Sequence, residues 1–163
     1  MKLKLIALMM GLALISGCAN RQLVQRMPFP SAEYSALPTT GTGTVEGQAF
    51  LKTVGGDVKY GAGTEVYLIP VTSYSEQWYD IVFNQHKVPV ISDPRQTPYV
   101  RIVQADGAGN FKFEDVPPGK YFARADVTWS APSQYGGLAL QGGPMANRIS
   151  VSNGKITRTM ITR

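Results

Sequence analysis

Residues 105–127 read ADGAGNFKFEDVPPGKYFARADV, and this stretch decides the fold. Phe111 and Phe113 sit two apart, so a strand sends both rings to one face while Lys112 and Glu114 take the other. Before them, Asp106-Gly107-Ala108-Gly109-Asn110 is a turn whose glycines permit positive φ. After them, Val116-Pro117-Pro118-Gly119 fixes two φ values and puts Gly at the tightest position. Tyr121 then enters a second strand, Lys120–Trp129, and returns toward the two Phe rings. The local pattern is antiparallel β.

The same pattern extends outward. Thr44–Leu51 alternates Val45, Gly47, Ala49 and Leu51 against Glu46, Gln48 and Phe50. Glu65–Val71 is a compact apolar run after the turn-rich GGDVKYGAG, and Tyr99–Ala105 precedes the Asp106 turn. Arg148–Ser152 and Lys155–Thr162 flank Asn153-Gly154, a strong hairpin signal. Seven strands joined by such turns predict an all-β, seven-stranded antiparallel sandwich over residues 44–163. One segment departs from β. Ser73–Asn84 places Tyr74, Trp78 and Ile81 at helical spacing, with Ser73 or Ser75 as cap. A short helix followed by a Pro-broken loop makes residues 73–98 an insertion between strands.

With 163 residues, the chain suits one domain of ordinary size. Its 17 Gly and 11 Pro agree with many turns, and 17% charged residues against 44% hydrophobic ones exclude wholesale disorder. The single Cys and single His exclude an internal disulfide and a Cys/His zinc cluster. No metal and no cofactor is expected.

VEGQAFLKTV, GAGTEVYLIPV and ADGAGNFKFEDVPPGKYFARADV together resemble the carboxypeptidase regulatory-like domain, a transthyretin-like (prealbumin-like) β-sandwich of many secreted proteins. Asp106, Gly109, Phe111, Phe113, Val116, Pro117, Pro118, Gly119 and Tyr121 carry the match, over about residues 44–129 without the insertion. The resemblance implies the fold and says little about function. Hydroxyisourate hydrolases share that fold type, but they use several His residues and a Tyr-Arg-Gly-Ser ending. This chain ends Met160-Ile161-Thr162-Arg163.

The N-terminus reads as an address. Lys2 and Lys4 precede an apolar run from Leu5 to Ile15, too short for a membrane span and suited to a signal peptide over 1–17. Ile15-Ser16-Gly17-Cys18 resembles the bacterial lipobox. That resemblance implies cleavage before Cys18, diacylation of its thiol and acylation of its amine, a stable lipid anchor. Ala19 in place of Asp favours the outer membrane. Residues 18–43, broken by Pro28, Pro30 and Pro38 and closed by TTGTG, read as the lipidated Cys and a flexible tether. Leu23, Val24, Met27 and Phe29 are apolar enough to pack back on the domain or to dock.

The formal charge of +5 includes Lys2 and Lys4, so the rest of the chain carries +3, scattered. That is no nucleic-acid footprint. Asp106, Asn110 and Glu114 are too few side-chain donors for a calcium loop, and the Gly-rich stretches lack a phosphate-loop pattern. Glu76 and Asp80 lie on one helix face, an ordinary spacing, so an enzyme is not expected. The aromatic residues are more informative. Trp78 belongs to the packing stripe, whereas Tyr79 lies off it, His86 follows the helix and Tyr135 sits in a Gly-rich loop. Tyr79, His86 and Tyr135 are therefore the candidate binding residues, on the insertion and the 130–143 loop. Two functions fit: a non-catalytic lipoprotein that binds an envelope protein as an assembly subunit, or a glycan- or peptidoglycan-binding module.

Overall fold

The structure is a computed structural model that describes residues 23–163, so the segment read as a signal peptide and Cys18 lie outside the described residues. The chain forms α1 (Ser31–Ser35), β1 (Gly43–Lys52), β2 (Val58–Tyr60), β3 (Glu65–Pro70) and α2 (Ser73–Tyr79). A π-helical turn over Asp80–Asn84 continues α2, and a 3-10 turn spans Pro94–Tyr99. Then come β4 (Arg101–Gln104), β5 (Asn110–Val116), β6 (Gly119–Pro132), β7 (Leu138–Val151) and β8 (Ile156–Ile161). Sheet A holds β2, β1, β5 and β8, and sheet B runs β4-β3-β6-β7.

Alternation explains the sandwich. Val45, Ala49 and Leu51 of β1, Phe111 and Phe113 of β5, and Ile161 of β8 face Val66 and Leu68 of β3 and Tyr121, Ala123, Ala125 and Val127 of β6. The Phe pair meets edge to face at 6.0 Å. Gly109 takes φ +79° in the Asp106 turn, and the Tyr121 hydroxyl donates to the Pro117 carbonyl at 2.9 Å, tying the Pro-Pro-Gly turn to the next strand.

The architecture is an all-β sandwich with eight strands, not seven. The additional strand, β2, is the Val58–Tyr60 piece of the Gly-rich stretch, paired with residues 50–52 of β1. One pairing departs from antiparallel: β8 runs parallel to β1, from Thr44↔Ile156 to Ala49↔Ile161. Asn153-Gly154 therefore turns the chain from sheet B to sheet A and does not join two paired strands. The 130–143 loop is mostly strand, since β6 and β7 pair out to Pro132↔Leu138. Its Gly-rich, uncharged sequence had obscured that alternation.

A third layer covers the outer face of sheet B. Thr72, and neither Ser73 nor Ser75, caps α2: its hydroxyl accepts from the Ser75 N–H at 3.2 Å, and its own N–H donates to the Ser75 hydroxyl at 2.9 Å. Phe122, which points outward from β6, is fully buried beneath Trp78 and Tyr79. The Arg148 guanidinium of β7 grips both Glu76 carboxylate oxygens at 2.8 and 2.6 Å.

The segment read as a flexible tether is packed from Val24 to Leu37. Phe29 stacks on Tyr34 at 4.5 Å and meets Tyr74 edge-on, and Arg26 lies 3.4 Å over the Tyr74 ring. Tyr34 is fully buried, hydrogen-bonded to Thr72, and burial raises its phenol pKa. Glu33 accepts from the Ser73 N–H at 2.8 Å and its hydroxyl at 2.6 Å. Phe29 and Tyr34 pack against Tyr74, Thr72 and Tyr99, which is why this segment does not behave as a spacer.

Candidate functional site

The third layer leaves the outer face of sheet A open, and a broad groove lies there. Outward positions of three adjacent strands meet: Glu46 and Gln48 from β1, Asn110 and Lys112 from β5, Arg158 and Met160 from β8. Gln104 and Asp106 close one end, and the groove has a volume of about 910 Å³. β1 approaches β8 closely because Gly47 has no side chain: a Cβ there would stand 1.9 Å from the Thr159 carbonyl oxygen.

The polar groups are held in place. Arg158 Nε donates to Glu46 Oε1 at 2.8 Å, and Gln48 Nε2 to the Ala108 carbonyl at 2.8 Å. Asp106 Oδ1 accepts the N–H groups of Ala108 and Asn110, each at 2.8 Å, and Oδ2 accepts Asn110 Nδ2 at 3.0 Å. Those bonds, the Asn110 side chain first, hold the Asp106 carboxyl below its usual pKa, so it is an acceptor at neutral pH. Lys112 pairs with Glu114 at 2.5 Å, which raises the ammonium pKa and lowers the carboxyl pKa. Beyond Gln48, on the same face, Phe50 stands opposite Tyr60, a residue 50% exposed. Fixed planar donors and acceptors beside a flat ring can hydrogen-bond a polyhydroxylated ligand and stack on its apolar face.

The structure does not bring the three sequence candidates together. Tyr79 is half-buried: it stacks on Phe122 at 5.0 Å, lies 4.8 Å from Phe83, and is covered by Arg148 at 5.0 Å. It is a packing residue of the third layer and not the outward ring expected, because Phe122 packs against both Trp78 and Tyr79, successive residues of α2, so the buried face of the helix is wider than the Tyr74, Trp78, Ile81 stripe. His86 is exposed, with φ +53°, at the mouth of a second cavity of about 460 Å³ lined also by Trp78, Lys87, Arg124 and Arg163. Tyr135 is 90% exposed at the β6–β7 turn. Twelve residues of strand and turn separate it from Phe122, roughly 30 Å or more of strand at ~3.3 Å each. Among the described residues, no group of three His, Cys, Asp or Glu side chains is placed to hold a metal ion. Sequence reasoning passed over Tyr60 and the groove, whose residues look like any solvated strand face.

No family model matches the chain, and neither does any curated protein. Among solved structures, the crystal structure of a proposed carbohydrate binding protein from Pseudomonas aeruginosa is similar, with a TM-score of 0.76 and 31% sequence identity. The match covers 85% of this chain and 99% of that one.

Proposed function

The chain belongs to the same family as that Pseudomonas aeruginosa protein, and on this footing we propose that it is a non-catalytic carbohydrate-binding domain of the bacterial envelope. The observation that carries the reading is the 31% identity along nearly the whole of a protein described as carbohydrate binding. The groove on sheet A is the site: Gln48, Asn110, Asp106 and the Glu46–Arg158 pair bond sugar hydroxyls, and Tyr60 offers the stacking ring. Its volume suits a short oligosaccharide. The sandwich is of the transthyretin-like, carboxypeptidase regulatory-like type, and Cys18 carries acyl chains that hold the domain on the outer membrane. A second reading, the envelope assembly subunit, draws on the β6–β7 hairpin, where Tyr135, Leu138 and Leu140 are exposed apolar side chains.

The test is retention of the mature chain on glycan arrays and purified peptidoglycan, followed by titration of the best ligand. Arg158→Ala, at a side chain 79% exposed, is expected to weaken binding about tenfold, the ~1.4 kcal/mol of one charge-assisted hydrogen bond. Tyr60→Ala is expected to do the same, with melting little changed in the Arg158 variant. Unchanged affinity in both variants removes the site from sheet A. Failure to retain any glycan, with a stoichiometric protein co-purifying instead, supports the assembly reading.

The anchor is tested separately. Cys18→Ser is expected to abolish membrane fractionation and the mass added by acylation. A variant that still fractionates with membranes at the mature mass overturns the lipoprotein reading.

A further inference from the structure

We propose that the edge formed by Leu23, Val24 and residues 88–91 is the surface that lies against the lipid bilayer, with the sugar groove facing away from it. The inference rests on acylation at Cys18. From Cys18 to Leu23 the sequence advances five residues, which span at most ~18 Å fully extended. At that point the chain has no slack left. The Val24 N–H donates to the Val88 carbonyl at 2.8 Å, and the Val90 N–H donates to the Val24 carbonyl at 2.9 Å. The point where an acylated chain joins the domain is therefore this bridge, and it is the first surface that a bilayer meets.

Its chemistry suits that neighbour. Ile91 is 94% exposed, Leu23 54% and Val88 39%, a cluster of aliphatic side chains around one backbone bridge. Lys87 stands beside them, exposed and in no ion pair among the described residues. The nearby carboxylates already have partners: Asp93 holds Arg95 at 2.7 Å, and Asp80 accepts from Asn84 and Gln85 at 2.8 and 2.7 Å. Aliphatic side chains with a free cation at their border match the boundary between acyl chains and anionic headgroups. Other exposed apolar residues lack this link to the anchor. Val54 lies in the β1–β2 turn and Tyr135 at the β6–β7 tip.

The consequence concerns access. The edge belongs to the layer on the outer face of sheet B, and the groove lies on the outer face of sheet A. Two layer spacings of ~10 Å each separate them. A domain seated on this edge presents Arg158 and Tyr60 to the aqueous side.

Cys18 is the only cysteine and acylation consumes it, so an introduced cysteine labels uniquely. Ile91→Cys, Val54→Cys and Tyr135→Cys, each carrying an environment-sensitive fluorophore, are prepared as the acylated full mature chain. They are reconstituted into phosphatidylethanolamine–phosphatidylglycerol vesicles that contain a lipid-borne quencher. The label at 91 is expected to be quenched at least threefold more than the label at 54, with matching melting curves. Equal quenching at 91 and 54, or stronger quenching at 135, in protein that floats with vesicles overturns the orientation and leaves the anchor standing. Absence of acyl mass with no flotation overturns the anchor, and the orientation falls with it.

Discussion

Phe122→Ala is expected to cost the domain about 3–5 kcal/mol, the range for a fully buried Phe truncated to Ala. Phe122 points away from the sandwich core, so in a bare two-sheet protein it would be a surface residue. Here it is the floor on which the third layer stands. Tyr79 stacks on it at 5.0 Å with an interplanar angle of 14°, and Trp78 meets it edge to face at 6.1 Å. Arg148, which holds Glu76, also lies over its ring at 5.0 Å. Removing the ring leaves a cavity under two large aromatics, which cannot collapse because β6 is fixed by its neighbours β3 and β7. The midpoint of thermal melting should fall by on the order of 10 °C. Hydrogen exchange should rise first over residues 73–99, since the insertion loses its floor while the Phe111/Phe113 core is untouched. Phe122→Leu keeps most of the volume and should cost under about 1.5 kcal/mol. A melting temperature for the Ala variant within 2 °C of wild type, at about 1 kcal/mol or less, means that the layer adds nothing to stability.

That layer also shows what the sequence could and could not convey. The helix over residues 73–84 was legible because Tyr74, Trp78 and Ile81 repeat at helical spacing, and the stripe does turn inward: Tyr74 and Ile81 are buried. Tyr79 was misplaced because a stripe drawn through Tyr74, Trp78 and Ile81 takes the buried face to be narrow, whereas the Phe122 ring packs against both Trp78 and its neighbour Tyr79. Residues 23–38 looked like a spacer because Phe29 and Tyr34 have no periodic partners nearby. Besides stacking on each other, they meet Tyr74 and Tyr99, at least 40 residues away, and such long-range pairing leaves no local mark. The Asp106 and Pro-Pro-Gly turns were legible because their residue types answer to backbone geometry alone. The pairing of β8 was not, since Asn153-Gly154 reports a turn and does not report which sheet edge the next strand will meet. The groove was hidden for a further reason. Glu46, Gln48, Lys112 and Arg158 alternate with core residues as on any solvated face, and only the assembly of β1, β5 and β8 puts them together.

Two glycines in one turn separate structural need from mere composition, and with it the integrity of the groove. Gly109→Val is expected to destabilise the protein by at least about 3 kcal/mol, whereas Gly107→Ala should stay within about 0.5 kcal/mol of wild type. Gly109 has φ +79°, and a Cβ added there would stand 2.5 Å from the Ala49 carbonyl oxygen. That oxygen already accepts the Gly61 N–H at 2.8 Å, while the Gly109 carbonyl accepts the Ala49 N–H at 2.9 Å. A β-branched side chain must therefore either push the turn off β1 or break both bonds. Gly107 has no positive φ, and a Cβ there meets nothing within 4 Å. Urea denaturation of the two variants checks the contrast through their midpoints. The functional consequence follows from the same turn, because it places the Ala108 carbonyl that orients Gln48 and the Asp106–Asn110 pair that closes the groove. A folded remnant of Gly109→Val should thus lose the glycan binding proposed for the groove, and Gly107→Ala should keep it. Equal midpoints for the two variants would show that the close approach of Gly109 to β1 does not hold this turn in place.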